Sequence, residues 1–151
     1  MRIRIIDYRP PKIAQFFVLV AALLNWTTPL GEFQVYSSRV FGAILGTIGF
    51  GVMMGAWWQF KKRDTAICPL EKTDSLITSG LFRISRNPMY AGMIAMLSAL
   101  AIFFGTIPFY LAALAYFLVI NGVFCPYEEN KLTESFGDTY SSYKNDVRRW
   151  L

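Results

Sequence analysis

The chain has 151 residues, of which 54% are hydrophobic and only 17% charged, with a mean hydropathy of +0.37 and a net charge of +5. A soluble domain of this length carries about a quarter charged residues, so the composition indicates one integral membrane domain. The chain lacks histidine, which excludes Ser/His and Cys/His nucleophiles and a His-ligated metal, and we predict no metal site.

A first membrane span is predicted over residues 11–30. It follows a basic head, and no charged residue occurs from Ile13 to Gly31. No small-x-small cleavage site follows the run, so we interpret it as an uncleaved span rather than a signal peptide.

A second span is predicted over residues 40–60, because about 20 apolar residues cross a hydrocarbon core of about 30 Å. It contains two small-x-x-x-small pairs, which allow another backbone to approach closely. We expect them to pack against the first span, with a homodimer face as the alternative. The four glycines are Gly42, Gly46, Gly51 and Gly55.

The third and fourth spans are predicted over residues 88–104 and 108–124, because residues 87–127 form a 41-residue run without a charged side chain. Asn87 suits the N-cap of a helix and Pro88 its first turn. Gly105 would end that helix. The two segments match in length, so they predict an antiparallel hairpin whose two ends return to the same side of the bilayer.

The lysines and arginines predict the orientation. Fourteen of the fifteen lie before residue 13, in the loop 61–87 or in the tail 125–151, and only Arg39 lies on the opposite side. The positive-inside rule then places both termini and the loop in the cytoplasm, as expected for an inner membrane protein. The basic residues alternate with apolar runs and form no clustered face, so we expect no nucleic-acid partner.

The tail predicts an amphipathic helix, because apolar residues recur at steps of three and four. Gly137 is a candidate break in it. The predicted fold class is therefore all-α: four transmembrane helices, the last two a hairpin, followed by this helix. The stripe consists of Leu132, Phe136, Tyr140, Tyr143, Val147 and Trp150.

Charged residues flank the uncharged run and define the candidate site. Arg83 and Arg86 precede the third helix, whose N-terminal dipole favours an anionic group. Taken alone, they would be interpreted as snorkelling anchors. Glu128 and Glu129 follow the run directly, and the hairpin brings them opposite the arginines, where they can pair with them or with a cationic ligand.

These motifs, taken in order, resemble the isoprenylcysteine carboxyl methyltransferase and phospholipid methyltransferase superfamily of integral membrane enzymes. The resemblance covers roughly the last half of the chain: GLFR from Gly80, RNPMYAG from Arg86, EE at Glu128 and FGDTYSSY from Phe136. It implies S-adenosylmethionine as the cofactor, bound on the cytoplasmic side. It also implies a lipophilic substrate that reaches the site from the membrane lipids.

The same resemblance implies roles for individual residues. Arg86 and Glu128 are expected to be catalytic, with Glu128 orienting the reactants or transferring a proton. The family usually has His at the position of Asn87, and an amide cannot titrate, so Asn87 is excluded as a base. The implied cofactor-binding residues are Gly80, Phe82, Arg83, Arg86, Asn87, Pro88, Tyr90 and Glu129.

Several acceptors remain open. Transfer to an isoprenylcysteine-type carboxylate, an O-methylation, needs no strong base and is our first expectation. A phospholipid amine or a thiol would need Glu128 or Glu129 to remove its proton. An NADPH-dependent, sterol-reductase-like enzyme is a further alternative. It is disfavoured because Met89 and Met93 stand where that group usually has an asparagine and an acidic residue. A non-enzymatic membrane packing protein is the last.

Overall fold

The computed structural model describes residues 9–27, 35–63 and 75–150, and within these ranges the chain is helical, without a strand. The all-α prediction is confirmed. Residues 28–30 of the first predicted span, and residues 64–74 of the loop with Cys68, lie outside the described ranges. The α-helices are α1 (Pro10–Thr27), α2 (Arg39–Lys62), α3 (Pro88–Phe104), α4 (Ile107–Val119) and α5 (Cys125–Asp146).

Two of the described helical stretches are long and apolar enough to cross a membrane. They are α2 and the continuous run Ile107–Asp146, while α3 is a shorter apolar helix. The bounds of α3 agree with the prediction, from Pro88 to the left-handed Gly105 (φ 68°) that ends it. The N–H of Gly105 donates to the Ala101 carbonyl at 2.8 Å. The short connection after Gly105 returns α4 along α3.

The seam between α2 and α3 corrects the expectation that the α2 glycines pack on the first span. A Cβ on Gly92 of α3 would lie 2.6 Å from the carbonyl oxygen of Gly49 of α2. A Cβ on Gly42 would lie 2.9 Å from the Ala99 carbonyl oxygen. Backbones this close leave no room for side chains, so Gly42 is covered by α3 within one chain. A Cβ on Gly51 would meet no atom of the described residues within 4 Å, and the homodimer stays a prediction.

On its other side α3 shares a core with α1 and α4. Tyr116 and Ile120 are fully buried there, and the Tyr116 hydroxyl donates to the Met93 sulfur at 3.2 Å. Phe17 of α1 contacts the Tyr116 ring edge-on, with centroids 6.5 Å apart. α3 is therefore the central helix, with α2 on one side and α1 and α4 on the other.

The fourth predicted span ends at residue 124, but the helix continues beyond it. α4 passes through a π turn, Ile120–Phe124, directly into α5. Pro126 lies in the first turn of α5 and has no backbone N–H to donate to the preceding turn. Within the π turn the Cys125 N–H reaches back to the Ile120 carbonyl. The next carbonyl, of Asn121, would take its π-register bond from Pro126, which has no N–H to give.

The tail helix is interrupted and shorter than predicted. Gly137 has non-helical torsion angles (φ 51°, ψ −124°) inside α5, as the sequence suggested, and the helix ends at Asp146. Val147 is extended (φ −124°, ψ 131°), so the last stripe residues, Val147 and Trp150, lie beyond the helix. We name residues 147–150 the strap, because they run back across the end of the hairpin.

Candidate functional site

A cavity of about 360 Å³ opens where the mouth of the α3/α4 hairpin meets α5. Small-molecule sites typically measure about 300–1,000 Å³, so the space suits a ligand of that class. Its walls also include the start of α1 and the end of α2. Its polar lining residues include Arg86, Asn87, Tyr90, Glu128, Glu129 and Tyr140.

Glu129 is the centre of an ion-pair cluster. Its Oε1 accepts from Arg86 Nη1 at 3.1 Å and from Arg149 Nε at 2.8 Å. Its Oε2 accepts from Arg149 Nη2 at 2.9 Å and lies 3.5 Å from Lys144 Nζ. Only 7% of Glu129 is exposed, so these cations replace the water that a surface carboxylate would have.

The two adjacent glutamates differ in their electrostatics. Burial raises the pKa of Glu128 to about 7, although a hydrogen bond from Tyr90 and the nearby charge of Lys131 both lower it. Burial also opposes ionisation of Glu129, but its arginine and lysine partners outweigh that effect and keep the pKa of Glu129 below its ordinary value. At neutral pH, Glu129 is a fixed anion and Glu128 titrates.

Tyr90 and Glu128 form a hydrogen-bonded pair on the cavity wall. Tyr90 lies in the first turn of α3 and Glu128 in the first turn of α5, and the tyrosine hydroxyl donates to Glu128 Oε1. A carboxyl that titrates near pH 7 and lines a cavity is well matched to accepting a proton from a ligand. This pair is therefore the candidate for acid/base chemistry.

The strap is bound by the segment that precedes α3. The Arg86 N–H donates to the Arg148 carbonyl at 2.9 Å, and the Ser85 hydroxyl donates to the Arg149 carbonyl at 3.0 Å. The Asn87 amide donates to the same Arg149 carbonyl at 3.3 Å. Asn87 thus occupies the N-cap position as predicted, but its side chain holds the strap and does not cap the helix.

The π turn binds the strap from the other side. Arg149 Nη1 donates to the carbonyl oxygen of Asn121 at 3.4 Å and to its Oδ1 at 3.3 Å. Trp150 Nε1 donates to the same Oδ1 at 3.0 Å, and its ring packs on Phe117 with centroids 5.6 Å apart. The carbonyl that Pro126 leaves without a helical donor is thereby satisfied.

Two tyrosines of the predicted tail stripe also line the cavity. The Tyr140 hydroxyl accepts from Arg86 Nη1 at 3.3 Å, and the Tyr143 hydroxyl donates to the Phe82 carbonyl at 2.6 Å. Burial raises the pKa of Tyr143 to about 12, so this hydroxyl stays protonated and keeps donating at neutral pH. The stripe therefore packs α5 over the mouth of the hairpin.

The structure brings most of the predicted site residues to one cavity, but two stand apart. Arg83 is exposed, and Gly80 (φ 62°) faces the side chain of Gln59, so neither lines the cavity. Their predicted contact with a cofactor stays a prediction. The predicted residues that do line the cavity are Phe82, Arg86, Asn87, Pro88, Tyr90, Glu128 and Glu129.

Sequence reasoning missed Arg149 and Asn121. In the sequence, Arg149 indicates only topology, because it lies beside a second arginine between the last two residues of the tail stripe. Asn121 did carry a signal: it is the only Asn or Gln between residues 88 and 124. A lone amide in an apolar run points to a buried polar partner, although not to which one.

Comparison with known proteins identifies the class. Residues 37–139 match the phospholipid methyltransferase family, which is well over half of the chain. The chain belongs to this family, which implies a membrane methyltransferase and confirms the resemblance to the wider superfamily. An uncharacterized protein from Haemophilus influenzae is 38% identical over 63 residues, which are 42% of this chain and all of that protein. No solved structure matches the chain.

Proposed function

We propose that the protein transfers a methyl group from S-adenosylmethionine to a lipophilic acceptor at the cytoplasmic face of the inner membrane. The observation that carries the proposal is that both ends of the hairpin meet in one cavity, with Arg86 and Tyr90 from one end and Glu128 and Glu129 from the other. Membership of the phospholipid methyltransferase family supports methyl transfer as the class of reaction. The residues that line the cavity are the candidates to carry it out.

The donor set fits S-adenosylmethionine. Its sulfonium and ammonium are cations, for which Glu128 and Glu129 are natural partners, and its carboxylate suits an arginine. Arg86 has capacity for such an anion, because its Nε is buried and has no acceptor among the described residues. Arg86, Asn87, Tyr90 and Glu129 are therefore the residues we propose to hold the cofactor.

The chemistry divides between the two ends of the site. When bound, S-adenosylmethionine supplies an electrophilic methyl group, and its transfer to an amine or thiol leaves a neutral thioether and one proton to be removed. Glu128 accepts that proton, because its pKa lies near 7 and Tyr90 orients its carboxyl. Arg86 and Glu129 orient the reactants, and the surrounding helices limit access of water.

Glu128 also bears on the acceptor. An isoprenylcysteine-type carboxylate, the first expectation from the sequence, needs no base and would be repelled by an ionised Glu128 in the same cavity. A phospholipid amine or a thiol carries a proton that Glu128 can take. We therefore propose N- or S-methyl transfer ahead of O-methyl transfer.

The proposed membrane placement keeps the four predicted spans, with both termini and the cavity on the cytoplasmic side. The 18 residues of α1 extend about 27 Å at about 1.5 Å per residue, close to the thickness of the hydrocarbon core. Apolar side chains point outward on α1 (Phe16, Leu19, Leu23) and on α2 (Ile44, Ile48). Such surfaces suit contact with lipid. The cavity lies between the start of α1 and the end of α2, where an acceptor can arrive laterally from the bilayer.

Thermal stabilisation of the detergent-purified protein tests the cofactor. Binding stabilises the folded state in proportion to the logarithm of ligand concentration over Kd, so S-adenosylhomocysteine should raise Tm and NADPH should not. A shift with NADPH alone would support a reductase, and no shift with either ligand would favour a packing protein. Transfer of radiolabel from S-adenosylmethionine to separated lipid extracts then identifies the acceptor.

Variants locate the cofactor within the cavity. Arg86→Ala and Glu129→Ala should weaken binding of S-adenosylhomocysteine, and wild-type affinity in both would overturn the assignment. Arg83→Ala removes the same charge from a position outside the cavity and is the matched comparison for Arg86→Ala. Equal losses for the two arginines would indicate general electrostatic attraction rather than binding at this site.

A further inference from the structure

The strap carries an arginine whose side chain turns back toward the site. Arg149 Nε and Nη2 bind the two carboxylate oxygens of Glu129 at 2.8 and 2.9 Å, across a separation of 20 residues. A two-pronged arginine–carboxylate pair fixes the orientation of the carboxylate as well as its position. Arg149 itself does not line the cavity, whereas Glu129 does.

The side of the Arg149 guanidinium that faces away from Glu129 is bound by Asn121. Its remaining terminal nitrogen, Nη1, donates to the backbone and side-chain oxygens of Asn121. That backbone oxygen is available because Pro126 cannot bind it, so the π turn creates the acceptor that the arginine uses. The contacts therefore run without a gap from the end of α4, through Arg149, to a carboxylate in the cavity wall.

A role in stability alone is the competing interpretation. Exposed ion pairs contribute little to stability, so a pair at the protein surface would have small effects of any kind. This pair is different, because the side chain of Glu129 is only 9% exposed and that of Arg149 only 29%. Without Arg149, the second oxygen of Glu129 would keep, among the described residues, only Lys144, whose side chain is 47% exposed and whose Nζ is 3.5 Å away.

We infer that Arg149 is a positioning residue, which fixes the Glu129 carboxylate in the geometry that the cofactor requires. The inference rests on the proposed function. It makes the docked strap a structural part of the cofactor site, although no strap side chain touches the cavity. It also gives the π turn a function, since Asn121 sets the direction of the Arg149 side chain.

Affinity for S-adenosylhomocysteine is the main measurement, by calorimetry on the full-length protein in detergent. Arg149→Ala should raise Kd at least about tenfold, the effect expected for loss of a charge-assisted pair. Arg149→Lys keeps the charge but cannot bind both oxygens, so it should restore only part of the affinity. Arg148→Ala removes the same charge from an exposed neighbouring side chain and is the matched control, with Kd expected within about twofold of wild type.

A double-mutant cycle separates positioning from stability. If Arg149 acts through Glu129, Arg149→Ala should have little further effect on Kd in a Glu129→Gln background. If Arg149 only stabilises the fold, Arg149→Ala lowers Tm but leaves Kd unchanged well below Tm. Unchanged Kd in Arg149→Ala, or fully additive effects on Kd, would overturn the inference.

Failure of the proposed function and misfolding of a variant can both be distinguished from failure of the inference about Arg149. If wild-type protein binds neither S-adenosylhomocysteine nor S-adenosylmethionine, the proposed function is wrong. That result is independent of the Arg149 variants, because it is obtained with the unaltered protein. If Arg149→Ala cannot be purified folded, Arg149→Lys and Asn121→Ala carry the test, since both leave the charge at Arg149. Wild-type affinity in both would then overturn the inference.

Discussion

Two nearby positions on α3, Gly92 and Tyr90, belong to regions built in opposite ways. At the seam, Gly92 lies against the backbone of α2, with no space for even a methyl group. At the mouth, Tyr90 faces a cavity lined by charged groups that are distant in sequence and pair with one another. The two regions therefore have different roles. Close packing at the seam keeps α3 rigid, so that the polar cavity beside α3 can stay open.

Breaking the seam should have the largest effect. Gly92→Val places side-chain atoms against the Gly49 carbonyl and the Met53 backbone, which cannot move away without separating the helices. Overpacking typically costs about 1–3 kcal/mol, and we expect at least the upper value here. The measurement is Tm and gel-filtration behaviour in detergent. A Gly92→Val protein with wild-type Tm would show that the seam is looser than the structure has it.

Breaking the chemistry of the mouth while leaving the seam intact should come next. Glu128→Gln keeps the size of the side chain and an acceptor for the Tyr90 hydroxyl but removes the base. We expect kcat to fall at least about 100-fold while affinity for S-adenosylhomocysteine changes little. Near-normal turnover would instead indicate an acceptor that needs no base, and would return O-methylation of a carboxylate to first place.

Methyl-transfer activity at the mouth should also depend on pH. Because burial raises the pKa of Glu128 to about 7, the basic form is lost on acidification, and activity should fall about tenfold for each pH unit below that value. The hydrogen bond from Tyr90 lowers the pKa of Glu128, so Tyr90→Phe should move the midpoint to higher pH. The pH–rate profile of Glu128→Gln, which should lack this step, is the control.

The smallest effect is expected at a glycine that the seam does not use. In the part of the chain that the structure describes, the methyl group of Gly51→Ala meets no atom within 4 Å, and alanine is favoured over glycine in a helix by about 0.5–1 kcal/mol. Tm should stay the same or rise slightly, in contrast to Gly92→Val. A clear loss of stability, or a change of oligomeric state, would place a second copy of the chain against this face of α2.

Much of the hairpin could be predicted because its signals are local. The uncharged run gave its extent, and Pro88 and Gly105 gave the bounds of α3, through ring geometry at one end and a left-handed residue at the other. The opposition of Arg86 and Glu129 followed from antiparallel geometry, and the structure gives the ion pair at 3.1 Å.

The rest depends on contacts that no local pattern encodes. Glycine spacing in α2 predicted a close approach but not its partner, which is decided by small residues of α3 such as Gly92. The helical period of the tail continued past Asp146, yet the chain turns extended there because the segment before α3 offers donors to its carbonyls. Arg149 was missed for the same reason: its role depends on where the strap docks.

Gly137 is required for its backbone conformation, whereas Gly92 is required for lack of space. Within the described ranges, no atom lies within 4 Å of where a Cβ of residue 137 would be, so glycine is not needed there for lack of space. Its torsion angles (φ 51°, ψ −124°) are close to the mirror image of an extended conformation that ordinary residues adopt readily. The requirement is one of handedness: a D-alanine introduced by chemical ligation should fit this position better than L-alanine.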